Sequence, residues 1–291
     1  MMKRGYLILN PSAGIWNKSN AAIFKVLREF EKNGIRMSPS PTEPQGSTVQ
    51  QVRELLTDEP DLLVAWGGDG TINEVINGMY GSDIPLGILP GGTANVMVRE
   101  LKIPIQLSRA VQVILSGKTR KISIGQANKR YFSLMAGIGF DSEVIRNVDW
   151  NLKKTVGTLA FGVSMLNSAR TYNFPKFHVK VGHEKKECVF AVISNARGYA
   201  AYFQIAPQAD ISDEYLYLSL FKEAGFNNVI RYMVHAFNQT HVKLKDVEII
   251  KTKRCEVIGP ENVSVQVDGE LIGNLPMKFR IHPQSLAIFC P

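Results

Sequence analysis

Three glycine-rich turns carry residue types and spacings that could do chemistry: Asn10-Pro-Ser-Ala-Gly14, Gly67-Gly-Asp-Gly-Thr71 and Gly91-Gly-Thr-Ala-Asn95. A backbone without side chains lets phosphate oxygens reach its amides, and a helix that follows at once adds the positive end of its dipole. One such turn means little, because sharp turns need glycine for positive φ in any case. Three of them, after three successive strands, converge on one crevice. Asp69 sharpens the reading. A carboxylate inside a phosphate-binding turn repels the phosphate unless a cation lies between, which points to a Mg²⁺–nucleotide complex. The plainer alternative is that Asp69 caps a helix opening at Thr71, and glycine on both sides makes that the weaker reading.

The elements that must position these turns alternate strand and helix. Tyr6 to Leu9, Leu62 to Ala65 and Leu86 to Leu89 read as buried parallel strands. Between them, a helix from Asn17 to Lys32 carries Ile23, Val26, Leu27 and Phe30 on one face and ends at Asn33-Gly34. Ser47 reads as the N-cap of a second helix, and Thr71 to Met79 as a third. A fourth runs from the Gly91 turn towards Leu101. This is an α/β pattern with an open parallel sheet. Beyond about residue 120, apart from a helix over Val156 to Ala169, the signals are short alternating runs. They are Lys176 to Val181, Cys188 to Ser194, Tyr215 to Phe221, Val247 to Lys251, Val263 to Val267, Lys278 to Ile281 and Leu286 to Phe289. They favour an antiparallel β-sandwich. The expected division is an α/β domain over 1–122 and a β-rich domain over 123–291, whose last strand could return to pack on the first.

Composition excludes several classes. With 45% hydrophobic and 21% charged residues the chain is ordinarily globular, neither disordered nor coiled-coil. Thr155 to Leu166, the longest weakly polar stretch, is too short for a spanning helix, and the N-terminus lacks the apolar run of a signal peptide. Cys188, Cys255 and Cys290 form neither a disulfide framework nor a metal pair and read as reduced thiols in the cytoplasm. The histidines, His178, His183, His235, His241 and His282, have no metal-ligand spacing. A net charge of +8 suggests an anionic partner. Nucleic acid is not expected, because no Lys/Arg run or aromatic–basic motif is present.

At this point the three turns resemble the soluble diacylglycerol and sphingosine lipid kinases, and the likeness continues through Gly137-Ile-Gly-Phe-Asp141, Ile205-Ala-Pro-Gln-Ala-Asp210 and Val267-Asp-Gly-Glu270. The Gly67 turn alone is shared with NAD kinases and is close to phosphofructokinases. The Gly91 and Val267 blocks point to lipid kinases. The resemblance implies an ATP-binding α/β domain, a lipid-binding β domain with the active site in the cleft between them, and Mg²⁺-dependent transfer of the γ-phosphoryl group to a lipid hydroxyl, diacylglycerol first. By position, Asn10, Gly14, Thr42, Gly67, Gly68, Asp69, Gly70, Thr71, Gly92 and Thr93 surround the nucleotide. Asp268 is the general base, Glu270 follows it in the catalytic block, and Lys154 neutralises the transferring group, with Lys18 a second candidate. Asp210 and Asp213 resemble a structural Mg²⁺ loop, although Glu214 stands where the family has glycine.

Read without the resemblance, Asp268-Gly269 is a hairpin turn after the alternating Val263, Val265 and Val267. An aspartate suits phosphoryl transfer, whose loose transition state needs the hydroxyl oriented early and deprotonated late. Replacement of Asp268 by Asn is therefore expected to abolish turnover with the fold intact. Val96 and the Tyr199–Tyr202 segment depart from the family and could reshape the lipid pocket. The expected partner is a lipid at an anionic membrane surface, approached from the cytoplasm, and a homodimer is open. Two rivals stand beside this reading: a soluble metabolite kinase of the NAD kinase type, which needs no apolar groove, and a lipid- or nucleotide-binding regulator without turnover.

Overall fold

The computed structural model describes residues 2–11, 20–42, 47–148, 159–199 and 203–291. They form two compact units, Met1–Ile122 with Gln284–Pro291, and Ser123–Pro283.

The first unit runs β1 (Lys3–Leu9), α1 (Asn20–Lys32), β2 (Ile35–Pro41), α2 (Thr48–Leu56), β3 (Leu62–Gly67), α3 (Asp69–Met79), β4 (Leu86–Pro90), α4 (Val96–Glu100) and α5 (Leu107–Leu115). Its strands are parallel in the order β2-β1-β3-β4. Every residue of β3 and β4 is buried, as expected of apolar strands covered by helices on both faces. Gly34, at φ +74°, ends α1 as its sequence predicts. Three details differ from expectation. β2 was not anticipated, because Pro39 and Pro41 break a strand pattern. It lies at the sheet edge, where a missing N–H is tolerated. Ser47 precedes α2 without a side-chain capping bond. Helix α3 begins at Asp69 rather than Thr71.

The chain passes between the units within β5 (Thr119–Ala127) and returns within the last strand. The second unit continues with β6 (Arg130–Phe132), β7 (Met135–Gly139), α6 (Phe140–Arg146), α7 (Leu159–Thr171), β8 (Phe177–Val181), β9 (Glu184–Cys188) and β10 (Phe190–Ser194). A two-stranded ribbon, β11 (Gly198–Tyr199) and β12 (Phe203–Gln204), follows, then β13 (Leu216–Phe221), α8 (Phe226–Phe237), β14 (Val247–Thr252), β15 (Arg254–Ile258), β16 (Ser264–Val267), β17 (Glu270–Asn274) and β18 (Met277–Phe289). The two segments expected at Lys278–Ile281 and Leu286–Phe289 are one strand, β18, with Pro283 and the left-handed Gln284 (φ +46°) inside it.

Two largely antiparallel sheets make the second unit a sandwich: β14-β13-β10-β7-β16-β17, and the start of β18 with β15, β8 and β9. Side chains alternate across each strand. Ala191 and Ile193 of β10 join Val257, Val265 and Phe279 in the core between the sheets. Phe190 and Val192 point the other way, into a second cluster with Phe140, Phe221 and Tyr232 beneath α6, α7 and α8.

Candidate active site

In the first unit the chain adds β2 on one side of β1 and β3 on the other, so the strand order reverses between β1 and β3. Open α/β sheets bind ligands outside the carboxyl ends of the strands at such a reversal. Those of the predicted nucleotide residues that are described lie at or just after the carboxyl ends of β1 to β4. Asn10 follows β1, its N–H bonded to Trp66 O at 3.2 Å, and its side chain donates to Thr71 Oγ1 at 3.1 Å. Thr42 follows β2 and donates its N–H to Leu9 O at 2.8 Å. Gly67 and Gly68 lead from β3 into α3, whose first amides lie outside the helical ladder.

The glycines of the second and third turns serve two different needs. A Cβ on Gly92 would sit 2.6 Å from Gly68 Cα, and one on Gly91 2.9 Å from Gly67 Cα. Gly68, Gly91 and Gly92 are glycines because the two turns pack backbone against backbone, and Gly67 because a Cβ there would lie 2.6 Å from the Thr71 side chain. A Cβ on Gly70 meets nothing within 4 Å, and its residue is exposed. Gly70 faces open space at the helix start, where an anion would lie. Asn95, left-handed at φ +48°, braces the third turn, its amide donating to Gly92 O at 2.7 Å and accepting from Gly92 N at 2.9 Å. Asp69 ties the turns to α4 by accepting from Met97 N at 3.0 Å. Thr93 is exposed on the third turn. Gly14, Lys18 and Lys154 lie outside the described residues.

In the second unit the Asp268-Gly269 turn joins β16 to β17 with both residues in the left-handed region, φ +46° and +89°. It is the hairpin that the letters predict. Its carboxylate is held by four donors. Ser133 N (2.7 Å) and Ser133 Oγ (2.9 Å) reach Oδ2, while Leu134 N and Met135 N (both 2.9 Å) reach Oδ1. Asp268 N returns a bond to Met135 O at 3.0 Å. Buried Asn195 holds the donor loop from behind, its amide bonding Ser123 O and Ser133 O at 2.7 Å each. Glu270 is exposed and ion-paired with Arg130.

Gln266, fully buried, connects this turn to a cavity. Its Oε1 accepts from Gly269 N at 2.8 Å and its Nε2 donates to Asp141 Oδ2 at 2.6 Å. Asp141 also accepts from Tyr199 Oη. Burial pushes the Asp141 carboxyl above the usual range against these two hydrogen bonds, and burial with the Asp141 charge pushes the Tyr199 phenol well above its own. The Gly137-Ile-Gly-Phe-Asp141 block follows from this packing. A Cβ on Gly137 would lie 1.5 Å from Asp141 Oδ2. Asp141 and Tyr199 are the polar edge of an otherwise apolar cavity of about 50 Å³, lined by Met165, Phe190, Phe203, Ile205, Met233 and their neighbours.

The proposed metal pair is differently engaged. Burial raises the Asp213 carboxyl, but hydrogen bonds from Tyr217 (2.6 Å), Lys251 (2.9 Å) and Glu214 N outweigh it and leave the acid below its usual range. Asp210 accepts from Ser212 N at 2.9 Å and faces Arg197 at 3.5 Å. With a lysine and an arginine on the two carboxylates, this donor set does not fit Mg²⁺. Among the described residues no group of three or more His, Cys, Asp or Glu could hold a metal. Sequence reasoning missed Ser133, Asn195 and Gln266, because their work is done through backbone groups far apart in the chain. The signal for Asn95 was present in the Gly91 block itself.

Glycine-rich turns at a sheet reversal, in a chain that also carries a half-buried carboxylate turn linked to an apolar cavity, suit a phosphotransferase with an apolar acceptor. Residues 4–127 match the family model of the diacylglycerol kinase catalytic domain, and residues 135–290 match that of the YegS C-terminal NAD kinase beta sandwich-like domain. A diacylglycerol kinase of Bacillus subtilis (strain 168) is 32% identical over 290 residues, spanning 96% of this chain and 93% of the relative. One of Staphylococcus carnosus (strain TM300) is 29% identical over 305 residues, spanning 100% and 96%. A crystal structure of a diacylglycerol kinase from Bacillus anthracis str. Sterne shares the fold, with a TM-score of 0.82 at 21% identity over 99% of this chain and 97% of that one. The chain belongs to the diacylglycerol kinase family. Membership makes it a lipid kinase, an activity that implies ATP as co-substrate. No helix among the described residues is long and apolar enough to cross a membrane.

Proposed function

We propose that the chain phosphorylates a long-chain lipid alcohol, diacylglycerol first, at the surface of an anionic membrane, with Mg²⁺–ATP as donor. The observation that carries the acceptor class is the apolar cavity of the second unit, for which a water-soluble acceptor has no use. It would take part of an acyl chain, with Asp141 and Tyr199 at its polar edge. The open space at Gly70 and the Asn10–Thr71 contact at the sheet reversal support a triphosphate over the start of α3. Asp69, a hard carboxylate at that helix start, fits a Mg²⁺ carried in with the phosphates, which would supply charge neutralisation as the phosphoryl group transfers.

Asp268 would orient the acceptor hydroxyl and take its proton late in transfer. An ionised carboxylate has about four acceptor sites and this one has four donors, so a hydroxyl must displace or share one of them. Ser133 Oγ is the donor that can rotate away. Glu270, exposed on Arg130, would act on the turn's outer side. Peripheral membrane association is supported by exposed apolar side chains on α8, the helix that helps to line the cavity. Val234 and Phe237 of α8 are 55% and 64% exposed, and the Phe237 ring meets cavity-lining Phe203 edge-on at 6.0 Å. The +8 net charge suits an anionic surface.

The test is purified protein with labelled ATP, Mg²⁺ and mixed micelles of diacylglycerol, sphingoid base, ceramide, phosphatidylglycerol or undecaprenol. Label is expected in diacylglycerol. It should vanish without metal and in Asp268→Asn, and fall when Ala236→Phe fills the cavity. Label in a water-soluble acceptor and in no lipid would overturn the acceptor class, and nucleotide binding without transfer would favour a regulator.

A further inference from the structure

The cavity lies on the outer side of one sheet of the second unit, and the outer side of the other sheet is basic. On β8, β15 and β18 the residues pointing away from the core include Lys180, Arg254, Glu256, Lys278 and Arg280. With Gln126 and Asn128 they line a groove of about 530 Å³, in the range of small-molecule sites. The register puts Arg254 directly opposite Arg280, and Lys180 directly opposite Lys185 of β9. Like charges facing each other across an antiparallel pair are destabilising. Glu256, between Lys180 and Lys278 in register, is the groove's one acid. None of Lys180, Lys185, Arg254, Lys278 and Arg280 makes an ion pair among the described residues, although ion pairs occur elsewhere on the same unit. Gln126 Oε1 holds Arg280 Nε at 2.6 Å, which fixes the stem of that guanidinium in the groove.

We infer that this groove is a binding site for a water-soluble ligand bearing two or more phosphate groups. Paired guanidinium forks match phosphate oxygens bidentately. The cations span three strands, about 10 Å at ordinary strand spacing, which is wider than one phosphate group. The choice of a soluble ligand over a lipid headgroup rests on the membrane reading of α8: that helix and the groove lie on opposite outer faces of the sandwich, so a membrane that meets one leaves the other in water.

The test is calorimetric titration of the full chain with tripolyphosphate and no nucleotide, where binding at the glycine turns is the same in wild type and groove variant and their difference reads the groove. The wild type is expected to bind. Arg254→Gln with Lys278→Gln is expected to bind at least tenfold more weakly while still melting cooperatively, since one change removes the like charge facing Arg280 and the other the opposite charge facing Glu256. In parallel, flotation with phosphatidylglycerol vesicles is expected to be the same for both proteins. Equal tripolyphosphate affinity in the two proteins, or no binding by the wild type, overturns the site. Loss of vesicle binding in the double variant with tripolyphosphate affinity unchanged shows a headgroup surface instead and overturns the soluble ligand. Lipid phosphorylation is not read in any arm, so failure of the acceptor assignment leaves this result standing.

Discussion

The Gly67–Thr71 turn of the first unit and the Asp268-Gly269 turn of the second are written in the same letters, aspartate beside glycine, and solve opposite problems. In the first, glycines clear the backbone: Gly68 makes room for the neighbouring turn, Gly67 for the Thr71 side chain, and Gly70 leaves space in front of a helix start. Its aspartate is a helix residue with one oxygen bonded to the Met97 amide. In the second, the aspartate sits in the left-handed region and its carboxylate draws four donors onto itself. The first turn leaves open space at a helix start, where the proposed nucleotide would place its phosphates. The second is built around an anion of its own.

Asp268→Asn breaks the second turn hardest. If Asp268 orients the acceptor, turnover is expected to fall by about 10² or more, the usual worth of a positioned base. The structure adds a second consequence to the sequence expectation of an intact fold. An amide places an NH₂ against donors on one side, and a buried donor left unpaired costs about 1–3 kcal/mol. A lower Tm should therefore accompany the lost activity. Ser133→Ala separates the two effects: it removes one of four donors, should cost about 1 kcal/mol, and should leave most of kcat. Wild-type kcat in Asp268→Asn would end the catalytic assignment.

The next largest effect tests the first turn against itself. Gly92→Ala puts a methyl 2.6 Å from Gly68 Cα, backbone that cannot yield as a side chain would. Overpacking of this kind costs about 1–3 kcal/mol, so a clear drop in Tm is expected. Gly70→Ala has open space and a helical position, where alanine is favoured over glycine by up to about 1 kcal/mol. Its Tm should hold or rise while ATP affinity falls, because the methyl enters the phosphate space. Unchanged ATP affinity in Gly70→Ala would take the nucleotide away from this turn.

How much of this was legible depended on whether the cause was local. The strands at Leu62 and Leu86, the turns after them and the glycine end of α1 follow from short-range pattern. β2 was hidden by Pro39 and Pro41, since only its place at the sheet edge makes them tolerable. β18 was read as two strands because Pro283 and Gln284 interrupt its alternation while the ladder continues on both sides. In the site, the glycines were legible as a set, but not which served packing and which served access, because that depends on the other turn's position. The cradle of Asp268 was invisible, since three of its four donors are backbone amides about 133 residues away.

The smallest effect concerns the acid between cavity and turn. Burial raises the Asp141 carboxyl against the hydrogen bonds from Tyr199 and Gln266, so its folded pKa exceeds its unfolded value. The stability it contributes is therefore fully present below the unfolded carboxylate range and is lost as pH rises through the folded value. Asp141→Asn keeps the shape and removes the titration. Its carbonyl can still accept from Gln266, and its NH₂ can donate to the Tyr199 oxygen, because a phenol both donates and accepts. The urea midpoint of the wild type should fall relative to that of Asp141→Asn between acid and neutral pH, by about 1.4 kcal/mol in stability for each unit of raised pKa. Tyr199→Phe, which removes one of the bonds that favour the ionised form, should steepen the wild-type fall. Parallel pH profiles for wild type and Asp141→Asn would mean that the acid stays ionised in the fold. The comparison of two turns would then gain a third member, a buried carboxylate held charged at the edge of an apolar cavity.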